Sequence, residues 1–269
     1  MSKIRIAFFT NTTCRTNAAV LDECAKNPNL ELARVFLYNT RAELWRSPVK
    51  VVRQFGMKGL IERAVPRDPM KFWRTATTHD EAAHNPSSPT ALQICKRNSI
   101  SHTVVRDINS SRSLAALREL RLDALVVCAC KNILRDAALS CPKLGVINIH
   151  PSYLPDYRGP CPIFWALING ESTLGVTIHR MTRRIDSGMV LWQTKIPTPK
   201  VTAATDERLI ERQLFGLAAE HLDASLRALA SQFQSGDQAS EPSSPGSYFG
   251  YPNSLERDEL SRKIQNRKN

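Results

Sequence analysis

A short apolar run, Gly145 to Ile149, ends abruptly at His150-Pro151, and this junction constrains the fold more than any other stretch of the sequence. A run without polar alternation suits a strand covered on both faces, the condition of a parallel sheet between helices. Pro151 keeps His150 extended and has no amide to carry the ladder onward, so the strand stops there. Its carboxyl end carries two polar side chains, Asn148 and His150, where open α/β sheets place their chemistry. A second apolar run, Val176 to His179, leads into a polar loop that closes on Asp186-Ser187-Gly188. One amide, one imidazole and one carboxylate could therefore meet at neighbouring strand ends. The plainer reading has Asn148 capping a turn, His150 half-buried and satisfied, and Asp186 opening a turn.

The rest of the chain supplies the alternation that such a sheet needs. Ile4 to Phe9 reads as a buried strand, Thr16 to Ala25 as a helix and Leu30 to Leu37 as a second strand. After an irregular stretch come a helix near Thr90 to Lys96, a strand at His102 to Val105, a helix at Ser111 to Leu120 and an apolar strand at Ala124 to Cys128. Val190 to Ile196 is a further strand, and Thr205 to Phe233 one long helix with Leu209, Ile210, Leu214, Leu217, Leu222, Leu226 and Leu229 on its inner stripe. The expected fold is α/β, an open and mostly parallel sheet with helices on both faces. The loop after the first strand lacks the G-x-G-x-x-G turn, which argues against a dinucleotide site. Asn11 and Thr12 in that loop could still hold an anionic group, or simply connect strand to helix.

Charge enters through the irregular stretch. Residues 41–75 carry nine basic against three acidic side chains, half of the chain's formal net charge of +12. Leu44, Trp45, Val49, Val52, Phe55, Leu60 and Ile61 recur at roughly helical spacing, so about 40–90 reads as a basic helical insert. It could border a substrate pocket, contact a second copy or a membrane surface, or be a solvated face. Residues 234–247 are rich in Ser, Pro and Gly and read as a linker, leaving 1–233 as the catalytic unit and 248–269 as a charged tail. The seven cysteines are odd in number and scattered, which favours core thiols in a reducing cytoplasm over disulfides. Cys128-Ala129-Cys130 and His79 to His84 lack metal-ligand spacing, so no metal is expected. The run Ile4 to Phe9 is too short for a signal peptide, and no run reaches the length of a membrane span.

Asn148-x-His150-Pro151-Ser152-x-Leu154-Pro155-x-x-Arg158-Gly159, with Pro162, Trp165, Gly175-Val176-Thr177 and Asp186-x-Gly188, resembles the catalytic signature of the 10-formyltetrahydrofolate-dependent formyltransferases. The resemblance is dense from Ala124 to Ile196 and implies a Rossmann-like fold and N-formyl transfer in one-carbon metabolism, with 10-formyltetrahydrofolate as co-substrate. Carried over, it makes Asn148, His150 and Asp186 catalytic. It lines the folate slot with Ile133, Leu134, Arg184, Ile185 and Gly188, although Ile133 and Leu134 could equally anchor the next helix. Ser152 and Arg158 become candidate substrate contacts beside Asn11 and Thr12. The acceptor is then a small-molecule amine, an anionic one suiting the positive charge: an amino sugar nucleotide, a hydroxyornithine-like amino acid or glycinamide ribonucleotide. Transfer RNA is disfavoured because the last 70 residues leave no room for a separate β-rich domain. Hydrolysis of 10-formyltetrahydrofolate and a nucleotide-binding oxidoreductase are the rival activities. A homodimer is compatible with everything above.

Overall fold

The computed structural model describes residues 3–39, 88–200, 207–235 and 246–266. The basic insert, the His79 to His84 stretch and most of the Ser/Pro/Gly linker lie outside them.

Among the described residues the chain runs β1 (Ile4–Asn11), α1 (Ala18–Lys26), β2 (Leu30–Tyr38), α2 (Ala91–Arg97), β3 (His102–Val105), α3 (Ser111–Glu119), β4 (Ala124–Cys128), α4 (Asp136–Leu139), β5 (Gly145–His150), α5 (Pro162–Ile168), β6 (Thr173–Arg180), β7 (Val190–Pro197), α6 (Glu207–Ser235) and α7 (Ser254–Asn266). The seven strands form one sheet in the order β3-β2-β1-β4-β5-β6-β7. The ladders from β3 through β5 are parallel, whereas β5–β6 and β6–β7 are antiparallel. This is the open, mostly parallel α/β sheet that the strand runs call for.

Both faces are covered. On one, Val20 and Leu21 of α1 and Leu214, Phe215 and Leu222 of α6 pack over Ile6, Phe8, Ile147 and Ile178. On the other, Leu117 of α3 and Ala138 of α4 pack over Phe9, Leu125 and Val146. The unbroken apolar runs Ile6 to Phe9 in β1 and Ala124 to Cys128 in β4 follow from this double burial. Helix starts carry their own signals: Thr90 and Gln93 close a reciprocal capping box at α2, and the Ser110 hydroxyl accepts the Ser113 amide at α3.

Three elements depart from the sequence-based reading. In α6, Leu209 is exposed and Leu217 half-buried, while Phe215, Ala218 and Ala219 go inside. That helix packs against α1 as well as β6 and β7, so its buried face is wider than one leucine stripe. α5 begins on Pro162, whose missing amide costs nothing at a first helical position. The charged tail folds into α7, opened by a reciprocal Asn253–Glu256 cap that the sequence pattern N-x-x-E announces.

Candidate active site

The carboxyl ends of β1, β4 and β5 open onto a cleft of about 450 Å³, completed by the loop after β6, the start of α6 and the segment before α7. β1 turns away toward β2 while β4 and β5 continue the other way, so the cleft sits where the strand order reverses.

Register builds its floor. Asn148 and His150 are two residues apart on β5 and therefore share a face, and antiparallel pairing sets His179 opposite Asn148 and Thr177 opposite His150. The Asn148 Nδ2 lies 3.1 Å from His179 Nε2 and 3.4 Å from Asp186 Oδ1. Asp186 Oδ2 accepts the Gly159 amide at 2.9 Å and stands 3.7 Å from His150 Nδ1, while its Oδ1 stands 3.7 Å from His179 Nε2. The other His150 nitrogen, Nε2, is 3.1 Å from the Tyr157 carbonyl. One carboxylate thus gathers an amide and two imidazoles, which meet edge to face with ring centres 6.4 Å apart. Asp186 reaches this point from a left-handed backbone conformation, φ 47°, that puts its side chain under the loop.

His179 was not singled out from the sequence. Burial pushes its imidazole down to about 4, against the opposing pull of the Asp186 carboxylate. The neutral ring satisfies both neighbours in one tautomer: Nδ1–H donates to the Arg180 carbonyl at 3.2 Å, and Nε2 accepts from Asn148. Its role is visible only once β6 is paired antiparallel with β5.

The folate-slot candidates divide. Ile133, 68% exposed, Ile185, 43% exposed, Leu134 and Arg184 all line the cleft, but Leu134 is only 5% exposed and belongs to the second core, so it also anchors the chain before α4. Gly188 does not line it: a Cβ there would fall 1.7 Å from the Arg180 carbonyl oxygen, so its lack of a side chain lets the loop close against β6. Arg183, in the same loop, grips Asp136 of α4 through two hydrogen bonds. Among the remaining candidates Asn11 alone faces the cleft; its Nδ2 donates to the Ala129 carbonyl at 2.7 Å, and its buried Oδ1 has no partner among the described residues. Thr12 is held by backbone bonds to Tyr38 and Leu92, and the Ser152 hydroxyl donates to the Asp156 carbonyl at 2.9 Å. Arg158 exchanges backbone bonds with Ser247 and Phe249, so its main chain pins the C-terminal segment.

Three thiols border the cleft, Cys14, Cys130 and Cys161. Burial pushes Cys14 and Cys161 up to about 11, so neither supplies a thiolate at neutral pH. Among the described residues no group of three His, Cys, Asp or Glu could hold a metal ion, and no helix is long and apolar enough to cross a membrane. All seven cysteines are free.

The phosphoribosylglycinamide formyltransferase of Bacillus halodurans superposes with a TM-score of 0.55 at 16% identity, over 85% of this chain and 96% of that one. A sugar N-formyltransferase from a Shewanella species gives the same score and identity over 97% and 87%. At such identities the likeness is one of fold. In sequence, the methionyl-tRNA formyltransferase of Roseiflexus castenholzii is 35% identical over 173 residues, 63% of this chain and 54% of that protein. The bifunctional polymyxin resistance protein ArnA of Wigglesworthia glossinidia brevipalpis is 42% identical over 105 residues, 38% of this chain and 16% of that one. The chain matches about half or less of the length of these curated relatives. A family model described as formyl transferase matches residues 74–220, more than half of the chain, from before α2 to within α6, and so takes in every strand that builds the floor of the cleft: the chain belongs to the formyl transferase family.

Proposed function

We propose that the chain transfers the formyl group of 10-formyltetrahydrofolate to the amine of a small-molecule acceptor, with Asn148, His150 and Asp186 as the catalytic set. The observation that carries this reading is the convergence of those three side chains, from one strand and a loop, on the floor of one cleft. Attack of a neutral amine on the formyl carbon puts negative charge on the formyl oxygen and positive charge on the attacking nitrogen. The Asn148 N–H that reaches Asp186 only at 3.4 Å and the His150 imidazolium N–H that faces the Tyr157 carbonyl turn to that oxygen and donate to it in the transition state. Asp186 holds both donors in place and, through a water, passes the proton from the amine toward the folate nitrogen. The 3.7 Å contact between His150 and Asp186 tightens on binding in this reading, as contacts of unliganded catalytic sites do. His179, neutral and fixed on the Arg180 carbonyl, orients the Asn148 amide. The exposed Ile133 and Ile185 offer an apolar bed for a pterin ring, with Arg184 beside them. No covalent intermediate is required, in keeping with Cys14 and Cys161 thiols that stay protonated. A cytoplasmic setting, where tetrahydrofolate and free thiols coexist, fits this chemistry.

The test is a product assay with 10-formyltetrahydrofolate and a panel of amino sugar nucleotides, amino acids, glycinamide ribonucleotide and methionyl-tRNA. Tetrahydrofolate release that depends on one small amine supports transfer. Release without any amine would mean hydrolysis, and release with the charged tRNA alone would replace the small acceptor by tRNA. In parallel, Leu134→Asp should abolish the rise in melting temperature given by 5-formyltetrahydrofolate. Unchanged folate binding in that variant would leave Leu134 a core residue only.

A further inference from the structure

The loop that holds His150 and Asp186 is itself held from behind. His150 Nε2 lies 3.1 Å from the Tyr157 carbonyl, and the Gly159 amide donates to Asp186 Oδ2 at 2.9 Å. A carbonyl oxygen can only accept, so Nε2 carries a proton there. These two backbone groups belong to successive peptide units, Tyr157–Arg158 and Arg158–Gly159. In a planar trans peptide the C=O and the N–H point in opposite directions. The other end of each unit therefore faces away from the site, and one distant stretch of chain takes both. The Arg158 N–H donates to the Ser247 carbonyl, and the Arg158 carbonyl accepts the Phe249 amide, each at 2.9 Å. The Tyr157 amide adds a bond to the Ser247 hydroxyl at 2.8 Å. Residues 246–250 thus lie along the back of the loop, paired in parallel at Arg158 and Tyr248.

The fit leaves no slack. A Cβ at Gly246, φ 56°, would fall 1.9 Å from the Pro155 carbonyl oxygen, and one at Gly159, φ 111°, would fall 2.1 Å from the Phe249 carbonyl oxygen. Tyr157 stands at φ 57°, a left-handed conformation that a non-glycine residue keeps only where its surroundings impose it. Those surroundings are mostly the segment itself. Phe249 lies between two rings, 5.3 Å from Tyr157 at 14° and 4.9 Å from Trp165 at 23°, and the Trp165 indole N–H donates to the Gly250 carbonyl at 2.9 Å. At the far end of the same ring, the Tyr157 hydroxyl donates to Glu171 Oε1 at 2.6 Å. Neither Ser247 nor Phe249 lines the cleft, so any effect they have on the reaction passes through the loop.

We propose that residues 246–250 are a positioning strap, in which Ser247 and Phe249 set the two peptide planes that aim the Tyr157 carbonyl at His150 and the Gly159 amide at Asp186. Without the strap both planes are free to rotate, and the imidazole and the carboxylate lose their common orientation. Small errors of placement at a reacting centre cost much rate, whereas binding of folate in the cleft does not depend on these two planes. The proposal rests on the formyl-transfer reading for what the two side chains do, but the orientation of His150 can be read without turnover.

Gly246→Ala and Phe249→Ala, which push or loosen the strap from the loop, are compared in the full chain with two gentler variants. Phe249→Tyr keeps the ring sandwich, and Ser247→Ala removes one hydroxyl while leaving every apolar contact whole. Turnover is counted per folate-binding site, so unfolded chain does not register. kcat should fall by about tenfold in Gly246→Ala and Phe249→Ala and by about threefold in Ser247→Ala, with acceptor KM and 5-formyltetrahydrofolate affinity within a few-fold, and Phe249→Tyr should match wild type. The imidazole nitrogen resonances of His150 at mildly alkaline pH should show the Nε2–H tautomer alone in wild type and Phe249→Tyr, and a mixture of tautomers in the three weakened variants. Wild-type kcat in Gly246→Ala and Phe249→Ala, or an unchanged tautomer in them, overturns the proposal. Should both fail to fold, wild-type kcat and tautomer in Ser247→Ala overturn it. A loss of folate affinity as large as the loss of kcat does so too, because the segment would then act through the folate site. Mixed tautomers in the variants of a chain that transfers no formyl group would sink the formyl-transfer reading and leave the strap standing.

Discussion

The floor of the cleft and its C-terminal wall are made by opposite means. The floor is a consequence of strand register: Asn148 and His150 share one face of β5, antiparallel pairing sets His179 and Thr177 opposite them, and a one-residue slip of β6 would turn its two side chains to the other face. The wall is a short segment held by one ring sandwich and a few backbone bonds, with half-exposed tyrosines. On the proposed reading the sheet fixes the chemistry, where geometry tolerates little, and its fine aim falls to a segment that can change without disturbing the strands. Variants in the two regions should fail in different ways.

The largest effect is expected on the floor. Asn148→Ala and Asp186→Ala should each lower turnover by about a hundredfold or more with the fold intact, since each removes a preorganised donor or the group that holds it. The double variant should lose little beyond the worse single one, because the residues act as a unit. Additive losses in steady-state kinetics would break the floor into independent contacts.

The next effect is on stability in acid and also belongs to the floor. His179 titrates near 4 in the folded chain and near 6.5 when unfolded. Between those values the unfolded chain binds the extra proton, so stability falls as pH drops from about 6.5 to about 4, by roughly 3 kcal/mol in all. His179→Gln keeps an acceptor for Asn148 and carries no proton, so urea unfolding across this range should show an acid loss smaller by that amount. An unchanged acid limb would mean that His179 is not held neutral.

The smallest effect is expected at the wall. Phe249→Ala should loosen the segment and lower kcat by about tenfold while acceptor KM and folate affinity stay within a few-fold, because the donors remain and only their aim is lost. A fall in kcat matching that of Asp186→Ala would erase the distinction between floor and wall.

Which parts the sequence disclosed follows the same division. The strands β1, β4 and β5 were legible because burial on both faces gives each an apolar run, Ile6 to Phe9, Ala124 to Cys128 and Val146 to Ile147, with the polar side chains near the ends. Asn148, His150 and Asp186 were legible because their spacing resembles a known signature. His179 was not, since its position depends on an antiparallel partner 31 residues away, which no local pattern encodes. That the missing side chain of Gly188 serves the close approach to the Arg180 carbonyl was not legible, because it depends on how the loop folds back on β6. Tyr248 and Phe249 open the stretch that reads as a charged tail, and only the long-range rings that hold Phe249, Tyr157 and Trp165, reveal a docked segment. The α7 cap, by contrast, stood in the sequence as Asn253-x-x-Glu256 and went unused because the surrounding charge suggested a tail.

The most direct test of the catalytic account is single-turnover formyl transfer by His150→Ala, with the amine that the acceptor screen identifies and folate binding checked separately. The account predicts a rate at least about a hundredfold below wild type at unchanged folate affinity. A variant that keeps more than about a tenth of the wild-type rate would contradict it, because a dispensable imidazole cannot be the donor to the developing oxyanion.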